Sequence, residues 1–310
     1  MKNSPNKILV PIDFDKTSLN ALEHSYEMAR LFDAELILLY VLEGMSVFGK
    51  LRSPEEYVNS IIAEARNRFD ELEELARSVS DKSLIKVTHL IEKGKPYEKI
   101  IQTALDYEVI LIVMGKSSTT EGKPRKFIGS NTMNVVRDAH CPVISVKGDK
   151  SMPKKFANIL LPLDFTGQTK KQVQKAIDFG GYFGSSISII SVISKENKVT
   201  RLLKQVQMNQ VNNAIQKHGI RSHSELLFID DKPPADAVIE YSKKINADLI
   251  MIMTQQKKNI INFYVGSTAQ QIILNADIPV LSIFPTAEFK PGVVTSMVDP
   301  MGLMRKRYDD

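Results

Sequence analysis

The chain has no tryptophan and a single cysteine, Cys141, in 310 residues. One thiol excludes an intramolecular disulfide and fits a reducing compartment. Long hydrophobic runs are also missing: the longest, such as Leu36–Leu42 and Val109–Met114, fall far short of the ~18 apolar residues that cross a bilayer. No long apolar region precedes a small-residue cleavage site near the N-terminus, where Asp13 interrupts the first apolar run. A soluble, cytoplasmic protein with no membrane partner is expected. There is no Gly-x-Ser-x-Gly elbow and no Walker lysine motif, so neither a hydrolase triad nor a P-loop has support. His24, His89, His218 and His223 lack the mutual spacing of a helical zinc site, and the solvated surface is their expected place. His140-Cys141 has no second cysteine to work with and reads as packing ahead of a buried strand. No metal site is expected.

The formal charge of +5, with 43% hydrophobic and 25% charged residues, is ordinary for a globular protein. The lysines are scattered and few aromatics cluster, which argues against a nucleic-acid stripe. The balance is compatible with a phosphate-bearing small molecule and equally with plain solubility.

What the chain does have is a repeat. Lys7-Ile8-Leu9-Val10-Pro11-Ile12-Asp13-Phe14 returns as Asn158-Ile159-Leu160-Leu161-Pro162-Leu163-Asp164-Phe165. A second landmark recurs: Phe127-Ile128-Gly129-Ser130-Asn131-Thr132 and Tyr264-Val265-Gly266-Ser267-Thr268 each precede a helical stretch that ends in Cys141-Pro142-Val143 or Ile278-Pro279-Val280. A repeat as long as a domain means two copies of one fold, since solenoid units are only about 20–50 residues. Asp13 to Asp164 is 151 positions, whereas Gly129 to Gly266 is 137, so copy two is 14 residues shorter between those landmarks. The boundaries read as residues 1–148 and 155–286. A short Lys- and Ser-rich linker, Gly148–Lys155, joins them, and a tail at 287–310 carries Met297, Met301 and Met304 before Arg305-Lys306-Arg307.

Within each copy short apolar runs alternate with longer amphipathic stretches, the pattern of a parallel sheet covered on both faces by helices. In copy one strands are expected at Ile8–Ile12, Glu35–Leu42, Ile85–Leu90, Val109–Met114 and Val143–Val146. Helices are expected at Thr17–Leu31, Pro54–Val79, Pro96–Leu105 and Ser130–Asp138. Asp15 or Thr17 can cap the first, and Pro96 suits the opening turn of the third. Gly94-Lys95-Pro96 and Pro233-Pro234 read as turns into that helix in either copy. Copy two repeats the strands near Ile159–Leu163, Ser186–Val192, Arg221–Phe228, Leu249–Met253 and Val280–Phe284.

In open parallel sheets ligands bind beyond the carboxyl ends of the strands, where strand order reverses. This selects Pro11-Ile12-Asp13, Val41 and the loop Gly115–Gly129. The Asp13 carboxylate can accept from a ribose hydroxyl or an adenine amino group, or it can merely cap the helix near Ser18. Gly129-Ser130-Asn131-Thr132 lies at a helix start, where free backbone donors, the dipole and two hydroxyls suit a phosphate. Gly115 lets a backbone approach a ligand with no Cβ in the way. The loop between is polar and basic, and a solvated loop capped by Ser130 is its bland reading.

Together, Ile-Leu-Val-Pro-Ile-Asp near the start, Val-Met-Gly, Gly-Ser and Cys-Pro-Val resemble the universal stress protein domain, present twice, over about residues 4–147 and 155–285. The resemblance implies two doubly wound α/β domains, each a five-stranded parallel sheet of order 3-2-1-4-5 with helices on both faces. It implies ATP, with or without magnesium, held in domain 1. Pro11, Ile12, Asp13 and Val41 fall at the adenine-ribose end, Met114 and Gly115 beside ribose and phosphates, and Gly129, Ser130, Asn131 and Thr132 on the phosphates. The family's Gly-x2-Gly-x9-Gly-Ser/Thr pattern is altered here. Ser118 stands at the second glycine, and ten residues, Thr119–Ile128, replace nine. Copy two has Thr254-Gln255-Gln256-Lys257, with neither glycine, and eight residues before Gly266, so its site is expected to be degenerate. Family dimers that pair through the last strand imply an intramolecular pseudo-dimer here, with homodimerisation as a further option. The function implied is an ATP-binding stress-response regulator acting on an unknown protein partner. The rival is a nucleotide-free interaction module of the same fold. An enzyme is not expected, since over the phosphates only the flexible Lys116, Lys123, Arg125 and Lys126 are candidates.

Overall fold

A computed structural model of the chain describes residues 5–43, 54–78, 84–116, 119–120, 123–124, 130–147, 156–165, 169–194, 198–254 and 265–283. The chain forms two compact units. The first contains β1 (Asn6–Pro11), α1 (Lys16–Phe32), β2 (Ala34–Leu42), α2 (Pro54–Arg77), β3 (Val87–Lys93), α3 (Pro96–Asp106) and β4 (Leu111–Lys116). A two-residue antiparallel ribbon, β5 (Thr119–Thr120) with β6 (Lys123–Pro124), comes next in the chain, followed by α4 (Ser130–Asp138) and β7 (Val143–Lys147). The second unit contains β8 (Asn158–Pro162), α5 (Thr169–Phe183), β9 (Ser186–Ser194), α6 (Lys198–Lys217), β10 (Ser222–Ile229), α7 (Pro234–Lys244), β11 (Leu249–Met253), α8 (Ser267–Asn275) and β12 (Val280–Ile283).

Strand order is β3-β2-β1-β4-β7 in the first unit and β10-β9-β8-β11-β12 in the second, with every neighbour parallel. This is the order 3-2-1-4-5, twice. With right-handed crossovers α1 and α2 cover one face of their sheet and α3 and α4 the other, as the packing of α3 on α4, and of α7 on α8, requires. Strands covered on both faces have no polar side to keep. Ile8, Leu9 and Val10 are accordingly all fully buried, as are Ile159, Leu160 and Leu161 at the same places in the second unit. Each such side chain contributes about 1.5–3 kcal/mol on burial.

The duplication extends to backbone torsions. Phe14 (φ 62°) and Phe165 (φ 55°) are both left-handed, as are Asp33 (φ 47°) and Gly184 (φ 60°), and Glu108 (φ 51°) and Asn246 (φ 48°). A bulky residue with positive φ is sterically costly, so a left-handed phenylalanine just after both aspartates marks a turn that both copies require. Gly94, at φ 144°, donates its N–H to Leu42 O and hands the chain to Lys95 and Pro96 at the start of α3. Pro233 and Pro234 open α7 in the same manner.

Several bounds shift from expectation, β4 by two residues to Leu111–Lys116 from Val109–Met114. The third strand, expected at Ile85–Leu90, lies at Val87–Lys93 and pairs with β2 as far as Leu42↔Lys93. An edge strand needs one neighbour and can be wet on its other side, so Glu92 and Lys93 extend it without an apolar signal. The β5–β6 ribbon has no hydrophobic periodicity to announce it.

Candidate functional site

The crevice of the first unit lies where β1 and β4 separate. These strands pair only at Ile8↔Leu111 and Leu9↔Ile112, against six paired positions between β1 and β2. Ile12 carries β1 onward by donating to Leu39 O at 2.8 Å. The chain then turns through left-handed Phe14, leaving Asp13 exposed at the rim.

Asp15, not Asp13, caps α1. Its carboxylate accepts from the Ser18 N–H at 2.7 Å and from the Thr17 hydroxyl at 2.8 Å. Burial pushes the Asp15 carboxyl up, but the hydrogen bonds from the Ser18 N–H and the Thr17 hydroxyl, with those involving Asp13 and the Ser18 side chain, together hold it below the usual carboxylate range. Asp13 is thereby released from capping. Its N–H donates to Ser18 Oγ at 3.3 Å, and its Oδ1 accepts from the Asp15 N–H at 3.1 Å, which orients the carboxylate while leaving it open to solvent.

Around Asp13 the structure gathers side chains that the sequence pattern had not joined. The Phe14 ring lies 5.5 Å from Tyr40 and 5.1 Å from Phe69, with the Arg68 guanidinium 5.1 Å over its face. Tyr40 also packs beneath α2 with Ile61, Ile62, Leu42 and Val58. Burial raises the Tyr40 hydroxyl's pKa first, then the negative charges of Glu64 and Asp13, while Arg68 opposes them. The adenine-ribose end named from the sequence, Pro11, Ile12, Asp13 and Val41, is thus bordered by Tyr40, Glu64 and Arg68. Val41 is half-buried beside Tyr40. The signal that could have found α2's contribution is its position after β2, whose carboxyl end it must roof on its way back.

On the opposite lip Met114 is buried and Gly115 half-buried. The glycine is required by the fold itself: a Cβ there would overlap the backbone carbonyl of Thr17, at the first turn of α1. The space attributed to a ligand is occupied by the helix, so Gly115 lets α1 seat against β4. Lys116, expected to be flexible, is 1% exposed and engaged at the end of β4. Beyond the loop, α4 opens at Ser130, with Asn131 half-buried and Thr132 buried in its first turn. Ser118, Gly129 and the Ser130 side chain lie outside the described residues.

The histidine expectation needs correcting in two places. His24 is buried within α1, and the His89 ring is half-buried and stacked on Phe69 at 4.7 Å. Both sit on faces that pack against the sheet or its helices. Cys141 behaves as a packing residue, since burial pushes its thiol up to about 12.

The second unit repeats the crevice and fills it. Strands β8 and β11 pair only at Ile159↔Leu249 and Leu160↔Ile250. Between them the amide of buried Gln172 donates to Pro162 O at 3.0 Å and to Met251 O at 3.3 Å. The position equivalent to Gln172 in the first unit is Ala21, fully buried and with no donor to give. The strand register sets Gly115, paired with Val146, against Met253, paired with Ile283, one residue before the expected Thr254. Thr254 itself takes the place of Lys116 and is buried like it, donating its N–H to Ile283 O at 3.0 Å and its hydroxyl to the same oxygen at 3.4 Å. Gln255–Tyr264 lie outside the described residues, while Gly266 still precedes α8.

Comparison with known proteins agrees with this duplicated architecture. The sequence profile of the Universal stress protein family matches residues 5–147 and again 155–283. One universal stress protein of Methanocaldococcus jannaschii is 32% identical over 48% of this chain and 86% of its own length. A second from the same organism is also 32% identical, over 47% of this chain and 96% of its own. A solved universal stress protein from Archaeoglobus fulgidus superposes with a TM-score of 0.71 at 22% identity, covering 91% of this chain and 99% of that one, a likeness of fold. Among the described residues no helix is long and apolar enough to cross a membrane.

Proposed function

Taking as premise that this chain belongs to the universal stress protein family, we propose that it is a stress-response regulator that binds ATP in its first unit alone. The observation that carries this is the contrast of crevices: Asp13 is oriented and open at the rim of the first, while Gln172 bridges the strands of the second. Asp13 would hold the adenine-ribose end beside Val41. The start of α4, with its unpaired backbone N–H groups and positive dipole end, would meet the phosphates. Magnesium, if bound, would neutralise phosphate charge. Occupancy then alters the surface offered to a protein partner. Turnover is not part of this reading, because hydrolysis needs a positioned base or nucleophile and the one lysine beside Gly115 is buried and engaged.

A second reading, a nucleotide-free interaction module, is favoured by one observation: the glycine that a ligand would need is already explained by α1. Calorimetry with ATP on the full chain separates the two. We expect saturable binding at one site per chain, weakened at least about tenfold in Asp13→Ala, a loss of about 1.4 kcal/mol, and unchanged in Asp164→Ala. Folded protein that takes up no ATP, or loses it in Asp164→Ala instead, overturns the proposal. Steady-state phosphate release with magnesium addresses turnover, and rapid release would make the protein an enzyme.

A further inference from the structure

Helix α6 carries two apolar faces, and its own unit uses only one of them. Met208 and Ile215, both fully buried, mark the side packed on β9 and β10. At about 100° per residue, Val199, Leu202, Leu203 and Val206 fall on the opposite side. They are 66%, 66%, 60% and 46% exposed. Four aliphatic residues at spacings of three, four and seven form a seam of the kind that packs against another helix, whereas apolar residues exposed singly need no explanation.

The seam is also uncharged. Continuing along the same side come Gln210 and Asn213, and no charge appears until Lys217; α6 as a whole holds no acidic residue. The helix at the same place in the first unit, α2, is built otherwise. Its acids Glu55, Glu56, Glu64, Asp70, Glu71, Glu73 and Glu74, interspersed with Arg66, Arg68 and Arg77, give it an ordinary solvated surface. The exposed aromatic near α6, Phe228, has the Arg201 guanidinium 4.3 Å over its ring, and Arg201 lies on the side of α6 away from the seam.

The order of the four residues identifies the occupant. Val-x-x-Leu-Leu-x-x-Val reads the same in both directions about a point between Leu202 and Leu203. A two-fold axis through that point, perpendicular to the helix, would set Val199 against Val206 of a second copy and Leu202 against its Leu203. A two-fold interface requires such a self-complementary patch, and the lack of charge means that like does not repel like. We infer that α6 is the contact face of a symmetric dimer of this chain, its two copies antiparallel across Leu202 and Leu203. The inference is independent of nucleotide binding. Two helical turns per copy make a small interface, below the roughly 1,200 Å² of stable complexes, so association in the micromolar range is expected.

Sedimentation velocity of the full chain over rising concentration tests this, using Leu202→Glu and Leu203→Lys. Both residues are exposed, so neither change should unfold the protein, and circular dichroism verifies that. The unmodified chain should self-associate, and each variant alone should remain monomeric, its dissociation constant raised tenfold or more. Because Leu202 faces Leu203 of the other copy, mixing the two variants should restore a dimer through a Glu–Lys contact. A chain that stays monomeric at several hundred micromolar overturns the inference and leaves the seam to the chain's own tail or to another protein. Self-association that survives both variants, or a mixture that fails to re-form the dimer, overturns it as well.

Discussion

Ala21 and Gln172 occupy one position in two copies of one fold, and the difference between them decides what lies behind the first strand. In the second unit the separated carbonyls of Pro162 and Met251 are tied together by a side-chain amide. In the first, a methyl group leaves the split without that bridge. Gly115 and Met253 make a second pair: the glycine admits the backbone of Thr17, while the second unit carries a full side chain at the same register position, beside Ile283. The strand order, the left-handed turns and the exposed aspartates are held in common. The split between the central strands is therefore closed by one side-chain amide in the second unit and left unbridged where the first unit has alanine, while the glycine serves the seating of α1.

Gly115→Ala should break the comparison hardest. The added Cβ has no room beside the Thr17 carbonyl, so α1 must move off β4, and overpacking of this kind costs about 1–3 kcal/mol. Hydrogen exchange should report the loss in the amides of β1, β4 and α1, with β8 and β11 unchanged. If Gly115→Ala is as stable as the parent, the glycine does not seat the helix. Gln172→Ala is the mirror experiment. It leaves two carbonyls without their donor and should cost the second unit about 1–3 kcal/mol, read as faster exchange in β8 and β11. An unchanged second unit would mean that the amide is not what closes that crevice. Asp15→Ala, which removes a helix cap, should cost the first unit about 1 kcal/mol. The backbone N–H of residue 15 that orients the Asp13 carboxylate survives this change, so ATP calorimetry on the variant tells whether the cap itself matters for binding.

The sheet order was legible because strands buried on both faces leave continuous apolar runs such as Ile8-Leu9-Val10, and because the motif repeat fixed where each domain begins. The rim was harder. Asp13 and Asp15 are equally good caps on paper, and only the path through Phe14 shows which carboxylate the helix takes. Glu64 and Arg68 lie 24 and 28 positions beyond Tyr40 in the chain and meet it because α2 folds back over the end of β2, a relation that periodicity within either element does not encode. Gln172 could have been noticed. It interrupts the apolar stripe of Val173, Ala176 and Ile177, and aligning the copies through Asp13 and Asp164 sets it against alanine. Lys116 looked like loop because it follows glycine, yet β4 pairs with β7 through Lys116↔Lys147 and carries it inside.

The smallest expected effect separates the units by acid. His89 on β3 stacks on Phe69 of α2, and its Nε2 is buried with no hydrogen-bond partner among the described residues. Burial lowers its pKa below the ordinary 6.5, with Glu73 and Asp70 pulling weakly the other way. The folded unit therefore holds the ring neutral at a pH where the unfolded chain would protonate it. In that window the unfolded state binds more protons, so stability rises with pH. The contribution is fully present above the unfolded value of 6.5 and is lost as pH falls through the folded one. The β2–β3 register places His89 beside Leu38, and the corresponding pair in the second unit is Ser224 beside Ile189, which cannot titrate. Acidification from about pH 7 to 5 should loosen α2 and β3 before α6 and β10. His89→Phe keeps the stacked ring without the proton and should flatten the first unit's response over that range. Equal acid sensitivity in the two units, or an unchanged slope in His89→Phe, would place the titrating group elsewhere.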